Sequence, residues 1–90
     1  MSALACDIQL SVSTAYGEGF SRNVDCVNLP TAFGSLGILR GHSDMLCAVS
    51  PGVIRFTAGE EQGRISVGEG VATVAKNQVI VLVSEIRSME

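Results

Sequence analysis

Cys6-Asp7-Ile8-Gln9-Leu10-Ser11-Val12-Ser13 alternates apolar and polar residues without a break. Successive side chains of a β-strand point to opposite faces. A period of two therefore lays Cys6, Ile8, Leu10 and Val12 on a buried face and Asp7, Gln9, Ser11 and Ser13 on a wet one. The same period returns along the chain. Residues 16–19 (Tyr-Gly-Glu-Gly) read as a turn. A second strand follows through Val24, Cys26 and Leu29; its alternation slips by one near Val27, which reads as a bulge. Pro30 is expected to end it, because proline has no N–H for a ladder.

Met45–Val49 is a short apolar run, and Ser50-Pro51-Gly52 places Pro and Gly as a type II turn requires. Residues 53–57 alternate, with Ile54 and Phe56 on one side and Arg55 and Thr57 on the other. Residues 58–63 read as a polar hairpin loop. Ile65 and Val67 alternate with Arg64 and Ser66, and Gly68-Glu69-Gly70 breaks the run. Residues 71–75 and 79–83 flank Lys76-Asn77-Gln78, a tight turn with Asn77 available for φ > 0. No segment holds helical periodicity over ten residues. Short strands separated by Gly-rich turns predict an all-β chain folded as a small β-sandwich or flattened barrel. The polar residues 84–90 are expected to fray, leaving an ordered core of about residues 5–84 in one domain spanning residues 1–90.

Ninety residues support one domain with one core and no deep cofactor pocket besides. Such a domain holds roughly 5–10 kcal/mol of net stability. The net charge is −3, and the six Lys and Arg residues are scattered. A nucleic-acid surface needs a basic stripe and usually stacking aromatics, and this chain has neither. The longest apolar run, Val79-Ile80-Val81-Leu82-Val83, is far short of the ~20 residues a spanning helix requires. The N-terminus carries no basic segment followed by a long apolar one, so it does not read as a signal peptide. Cys6, Cys26 and Cys47 are spaced too evenly for a disulfide framework or a close-paired zinc site; they read as small buried hydrophobes in a reducing compartment.

Catalytic chemistry finds little support. His42 is the only histidine, and Asp44 is its nearest carboxylate in sequence; no nucleophile elbow accompanies them. Glu60-Glu61 at a hairpin tip is a solvated edge guard. No converging metal ligands are spaced along the chain. Gly17-Glu18-Gly19 opens no helix, and no Lys-Ser/Thr follows Gly34, Gly37 and Gly41, so neither is a phosphate cradle. Catalytic, cofactor and metal sites are all read as none. The segment from Thr31 to His42 is different: it is a Gly-hinged loop with Phe33, Leu36, Ile38 and Leu39 between its glycines. At least two of these four fold back on the sandwich; any left exposed mark an interface with another protein.

That loop, with the residues before it, reads Leu29-Pro30-Thr31-Ala32-Phe33-Gly34-Ser35-Leu36-Gly37-Ile38-Leu39-Arg40-Gly41-His42. It resembles the N-terminal β-sandwich domain of the F-type ATP synthase ε subunit, the equivalent of the mitochondrial δ subunit, whose pattern is Leu-Pro-x-x-x-Gly-x-Leu-Gly-Ile/Val-Leu-Pro-Gly-His-x-Pro-Leu. Other pieces follow in the family's order: Phe20 before a strand, Val24 to Pro30, Pro51-Gly52-Val53-Ile54-Arg55, Gly68 to Val74, and the closing strand Val79 to Val83. Arg40 and Asp44 stand where the family has prolines. The family's C-terminal helical hairpin, with its inhibitory and nucleotide-sensing roles, has no counterpart before the last residue, Glu90.

The resemblance implies a ten-stranded β-sandwich and a non-catalytic rotor role. The domain would sit peripherally on the cytoplasmic face of the membrane as part of the complex. It would couple the γ subunit to the polar loops of the c-ring during proton- or sodium-driven ATP synthesis. Phe33, Ser35, Arg40 and His42 would face the ring, and Asp44 and Met45 would face γ. The alternative is a free-standing β-sandwich adaptor or ligand-binding module.

Overall fold

Alternation of apolar and polar side chains produces strands wherever it occurs in this chain. The structure, a computed structural model, describes residues 7–17 and 19–90. Ala5, Cys6 and Glu18 lie outside the described residues, and with them the start of the expected core and part of the first turn. The strands are β1 (Ile8–Thr14), β2 (Gly19–Val24), β3 (Cys26–Thr31), β4 (Gly34–Leu39), β5 (Met45–Val49), β6 (Gly52–Ala58), β7 (Glu61–Val67), β8 (Gly70–Ala75), β9 (Gln78–Val83) and β10 (Ile86–Met89). They form two five-stranded sheets, ordered β2-β1-β9-β8-β5 and β10-β7-β6-β3-β4. These are called the first and second sheets below. Pairing is antiparallel except between β1 and β9, which run parallel. The sheets pack face to face as a sandwich.

The core is aliphatic. Ile8, Leu10 and Val12 of β1 meet Val79, Val81 and Val83 of β9 within the first sheet; Val27, Leu29, Ile54, Ile65 and Val67 line the second, and all are buried. Phe56 is the one buried aromatic residue, tilted against the half-buried Phe20 with ring centroids 5.4 Å apart. Branched side chains suit this interior because they are stiff and fill the pleated surface. Each fully buried aliphatic side chain contributes about 1.5–3 kcal/mol. Thr14 is the buried polar residue of the described chain; its hydroxyl accepts the Tyr16 N–H at 3.2 Å, and its carbonyl accepts that of Gly17 at 3.1 Å.

Several local expectations are corrected. The slip in alternation near Val27 is a change of sheet, not a bulge. Val24 faces inward from the first sheet and Val27 faces inward from the second, so the inward phase resets at Asp25. Two 2.7 Å bonds fix that corner: the Asp25 N–H donates to the Thr57 carbonyl, and the Gly59 N–H donates to Asp25 Oδ2. Pro30 does not end its strand, since β3 continues to Thr31. Its carbonyl accepts the Ser50 N–H at 2.9 Å, and a strand residue's N–H points to the same side as its carbonyl. The missing donor therefore faces away from β4, beyond the β6 ladder, which stops at Asn28.

The Ser50-Pro51-Gly52 corner is not a type II turn either. Gly52 already belongs to β6 and has no positive φ. A Cβ there would stand 3.0 Å from Pro30 Cβ, so the close approach of the two strands favours glycine. The loop expected over residues 58–63 contracts to the two residues Gly59 and Glu60, because Ala58 pairs directly with Glu61. The polar tail is a strand: β10 pairs with β7, half-buried Ile86 packs on the core, and Glu90 exchanges backbone bonds of 2.8 and 3.0 Å with Arg64. The turn at Lys76 and Asn77 is as expected, with both residues at positive φ, 52° and 62°.

Candidate interaction surfaces

The segment expected as a Gly-hinged loop is mostly strand β4, the free edge of the second sheet. It separates Phe33 and Ser35 from Arg40 and His42. Phe33 and Arg40 lie seven positions apart, roughly 20 Å along extended chain. Ile38 is buried and Leu36 half-buried, while Leu39 and Phe33 are exposed, Phe33 fully so. Two of the four apolar residues thus fold back and two do not.

At the β3–β4 turn, the Thr31 hydroxyl donates to the Gly34 carbonyl at 2.6 Å and accepts the Phe33 N–H at 3.2 Å. This pinned turn holds the Phe33 ring in solvent, with exposed Ser35 beside it. Behind it, a hollow of about 330 Å³ lies between the free edges β4 and β5, lined by Leu36, Met45, Cys47 and Ala48 among others. Burial pushes the Cys47 thiol above its ordinary range. Cys47 and Cys26 are free and half-buried, so neither is the fully buried hydrophobe expected of it.

The other end of β4 is tied to the body of the sandwich. Arg40 Nη1 pairs with Asp7 Oδ2 at 2.7 Å, and the Gly41 N–H donates to Asn77 Oδ1 at 2.8 Å. The His42 N–H donates to the Leu39 carbonyl at 3.1 Å. Its Nδ1 lies 2.8 Å from the Ser43 carbonyl oxygen, a contact that calls for the proton on Nδ1. Asp44 is exposed, and half-buried Met45 opens β5. Among the described residues no group of three or more His, Cys, Asp or Glu side chains could hold a metal ion.

A further surface is one that residue-by-residue reading missed. On the outer face of the first sheet, Ala48, Val71 and Leu82 stand side by side across β5, β8 and β9; Leu46, Thr73 and Ile80 form the adjacent row. Val71, Ile80, Leu82 and Leu46 are 47–71 % exposed. Ser11 and Ser13 of β1, opposite Ile80 and Leu82, border the patch. A signal for it was present: residues 79–83 are apolar in both phases of the strand period, and a strand apolar on both faces is one that is covered on both faces.

The molecule is therefore an open two-sheet sandwich with an apolar outer face on its first sheet, a protruding Phe33 turn and a tethered basic connection at Arg40. The family described as "ATP synthase, Delta/Epsilon chain, beta-sandwich domain" matches residues 7–88. Similar relatives include the ATP synthase epsilon chain of Hydrogenobaculum sp. (strain Y04AAS1), 32% identical over 78 residues, covering 87% of this chain and 57% of that one. The ATP synthase epsilon chain of Aquifex aeolicus is 33% identical over 78 residues, covering 87% and 58%. The fold is matched by a chain in the structure of the Euglena gracilis mitochondrial ATP synthase OSCP/F1/c-ring, with a TM-score of 0.82, 20% identity, and coverage of 96% of this chain and 56% of that one. The protein belongs to the delta/epsilon β-sandwich family of ATP synthase. It spans a little over half the length of the curated relatives named.

Proposed function

We propose that this domain is a non-catalytic rotor subunit of the central stalk of an F-type ATP synthase, joining γ to the c-ring at the cytoplasmic face of the membrane. The observation that carries the reading is the apolar outer face of the first sheet in a chain of this family. Side chains such as Leu46 and Leu82 gain about 25 cal/mol per Å² when a partner removes them from water. A packed sandwich suits torque transfer, because close-packed interiors transmit strain instead of absorbing it.

In this reading γ docks where the chain enters β5, at Asp44 and Met45, and continues over Leu46, Val71, Ile80 and Leu82. The ring meets the β4 edge, through Phe33 and Ser35 at one end and Arg40 and His42 at the other. Arg40 is already held by Asp7. An acidic ring loop would have to take that guanidinium over, and Arg40→Glu should weaken ring attachment while sparing the fold. The ion that drives the ring, proton or sodium, is a property of the ring.

The test is titration of the chain against its cognate γ subunit by calorimetry and gel filtration. A one-to-one complex is expected. Leu82→Glu should weaken it at least about thirtyfold, the effect of losing a hot spot worth about 2 kcal/mol, with an unchanged far-UV spectrum. No complex with the folded wild-type chain would abandon the rotor reading in favour of a free-standing adaptor. Full affinity in Leu82→Glu would move the γ contact off this face.

A further inference from the structure

The outer face of the second sheet carries a charge arrangement that the rotor reading does not use. Three of the five arginines are neutralised within the chain: Arg22 by Glu61, Arg40 by Asp7 and Arg87 by Glu85. Arg55 and Arg64 have no ion pair among the described residues. These two stand directly opposite each other on β6 and β7. Both point outward and both are exposed. Like charges facing across an antiparallel pair destabilise it. Here they do so in a protein of net charge −3, where carboxylates to offset them are plentiful.

Register places hydrogen-bonding groups around the pair. Asn28 is the cross-strand neighbour of Arg55 on β3, and Thr57 faces Gln62 two residues along β6 and β7. Asn28, Arg55, Thr57, Gln62, Arg64 and Glu90 line one hollow of about 350 Å³. Glu90 supplies a side-chain carboxylate, which makes no ion pair with either arginine among the described residues. The hollow thus presents two guanidinium groups, two side-chain amides and a hydroxyl. Guanidinium groups bind tetrahedral and planar oxyanions through paired N–H donors, and they need no proton loss to do so.

We propose that Arg55 and Arg64, with Asn28, Thr57 and Gln62, form a seat for a phosphate oxyanion on the outer face of the second sheet. The anion lies between the two guanidinium groups and relieves their repulsion. It is either free phosphate or the phosphate of a lipid headgroup. The site is separate from the β4 edge and from the apolar face of the first sheet, so it stands or falls independently of the rotor reading.

The test has two arms on the intact chain. In the first, inorganic phosphate is titrated at constant ionic strength, made up with chloride, while amide shifts are followed by NMR. Saturable shifts are expected at Asn28, Arg55, Thr57, Gln62 and Arg64. Arg55→Gln and Arg64→Gln should each weaken binding at least tenfold. Arg87→Gln, which removes a guanidinium already paired to Glu85, should leave it unchanged. Glu90→Gln should tighten binding by removing the side-chain carboxylate from the hollow. In the second arm, sedimentation is measured with phosphatidylglycerol–phosphatidylcholine vesicles in phosphate-free buffer. Vesicle binding lost in Arg55→Gln, without saturation by free phosphate, assigns the headgroup as the source. Absence of saturable binding in both arms overturns the proposal, as does equal binding by Arg55→Gln and the wild type.

Discussion

Gly70 is the position at which one added methyl group should do the most damage. It opens β8, paired with Val49 of β5 on one side and Val83 of β9 on the other. A Cβ built there runs into the Leu82 carbonyl oxygen and stands 2.7 Å from Val83 Cα. Carbon atoms in contact prefer about 3.5–4.0 Å, so β9 must retreat by about 1 Å. A shift of that size takes a ladder bond of about 2.9 Å out of the hydrogen-bonding range. The obstacle is backbone, which has no rotamer to swing aside. Two ladder bonds at about 1 kcal/mol each, with an overpacking cost of about 1–3 kcal/mol, put Gly70→Ala at about 3–5 kcal/mol. At about 4–8 °C per kcal/mol for a domain of this size, Tm should fall by about 12–40 °C. Gly68→Ala is the matched control. Its Cβ meets the Ser84 hydroxyl and comes within 3.1 Å of Glu85 Cγ, both side-chain atoms able to move, so its cost should stay near 1 kcal/mol. Thermal melts of the two variants, followed by far-UV circular dichroism, decide the matter. A loss under about 4 °C for Gly70→Ala, or one no larger than for Gly68→Ala, would refute the backbone-contact reasoning. Because β8 and β9 carry Val71, Ile80 and Leu82, the same variant should also lose γ binding before it unfolds.

Two further outcomes follow from local geometry. Lys76 holds φ at 52°, a conformation that costs an ordinary L-residue about 1–2 kcal/mol and that Asn tolerates better. Lys76→Asn should therefore raise stability by about 0.5–1 kcal/mol, measured by urea denaturation; a decrease would show that the turn is not strained at Lys76. Cys47 has its thiol pushed up by burial, so the folded state disfavours its thiolate. Iodoacetamide should modify it more slowly than free cysteine at pH 8, with the rate still climbing beyond the ordinary thiol range. By the same linkage, the Cys47 contribution to stability is intact below the unfolded thiol's pKa and declines as pH rises through the folded one. Modification of Cys47 at the rate of free cysteine would contradict both statements.

Much of the fold was legible because a period of two is a local property. Ile8, Leu10 and Val12 announce which face of β1 is buried, and Asn77 announces its turn, without reference to any distant residue. Errors arose wherever a distant neighbour set the outcome. The reset at Asp25 looks like a bulge until β2 and β3 are known to lie in different sheets. Gly52 looks like a turn residue until Pro30 is found against it. The tail at residues 84–90 looks unanchored until Arg64 supplies the backbone partners of Glu90. At the candidate surfaces, at least two of the four apolar residues between 31 and 42 were expected to fold back, and Leu36 and Ile38 do, but the two ends of the segment were read as one loop.

The amino-acid order by itself determined an all-β chain, the buried phase of its clearest strands, the lack of a basic stripe and, through the Gly34 to His42 pattern, the family. Only the tertiary structure decided which strands neighbour one another. That arrangement gathers Leu46, Val71, Ile80 and Leu82 into one apolar face, ties Arg40 to Asp7, and sets Arg55 against Arg64. These surfaces join residues up to 36 positions apart in the chain, and cross-strand register is a property of the whole sandwich that no local window contains.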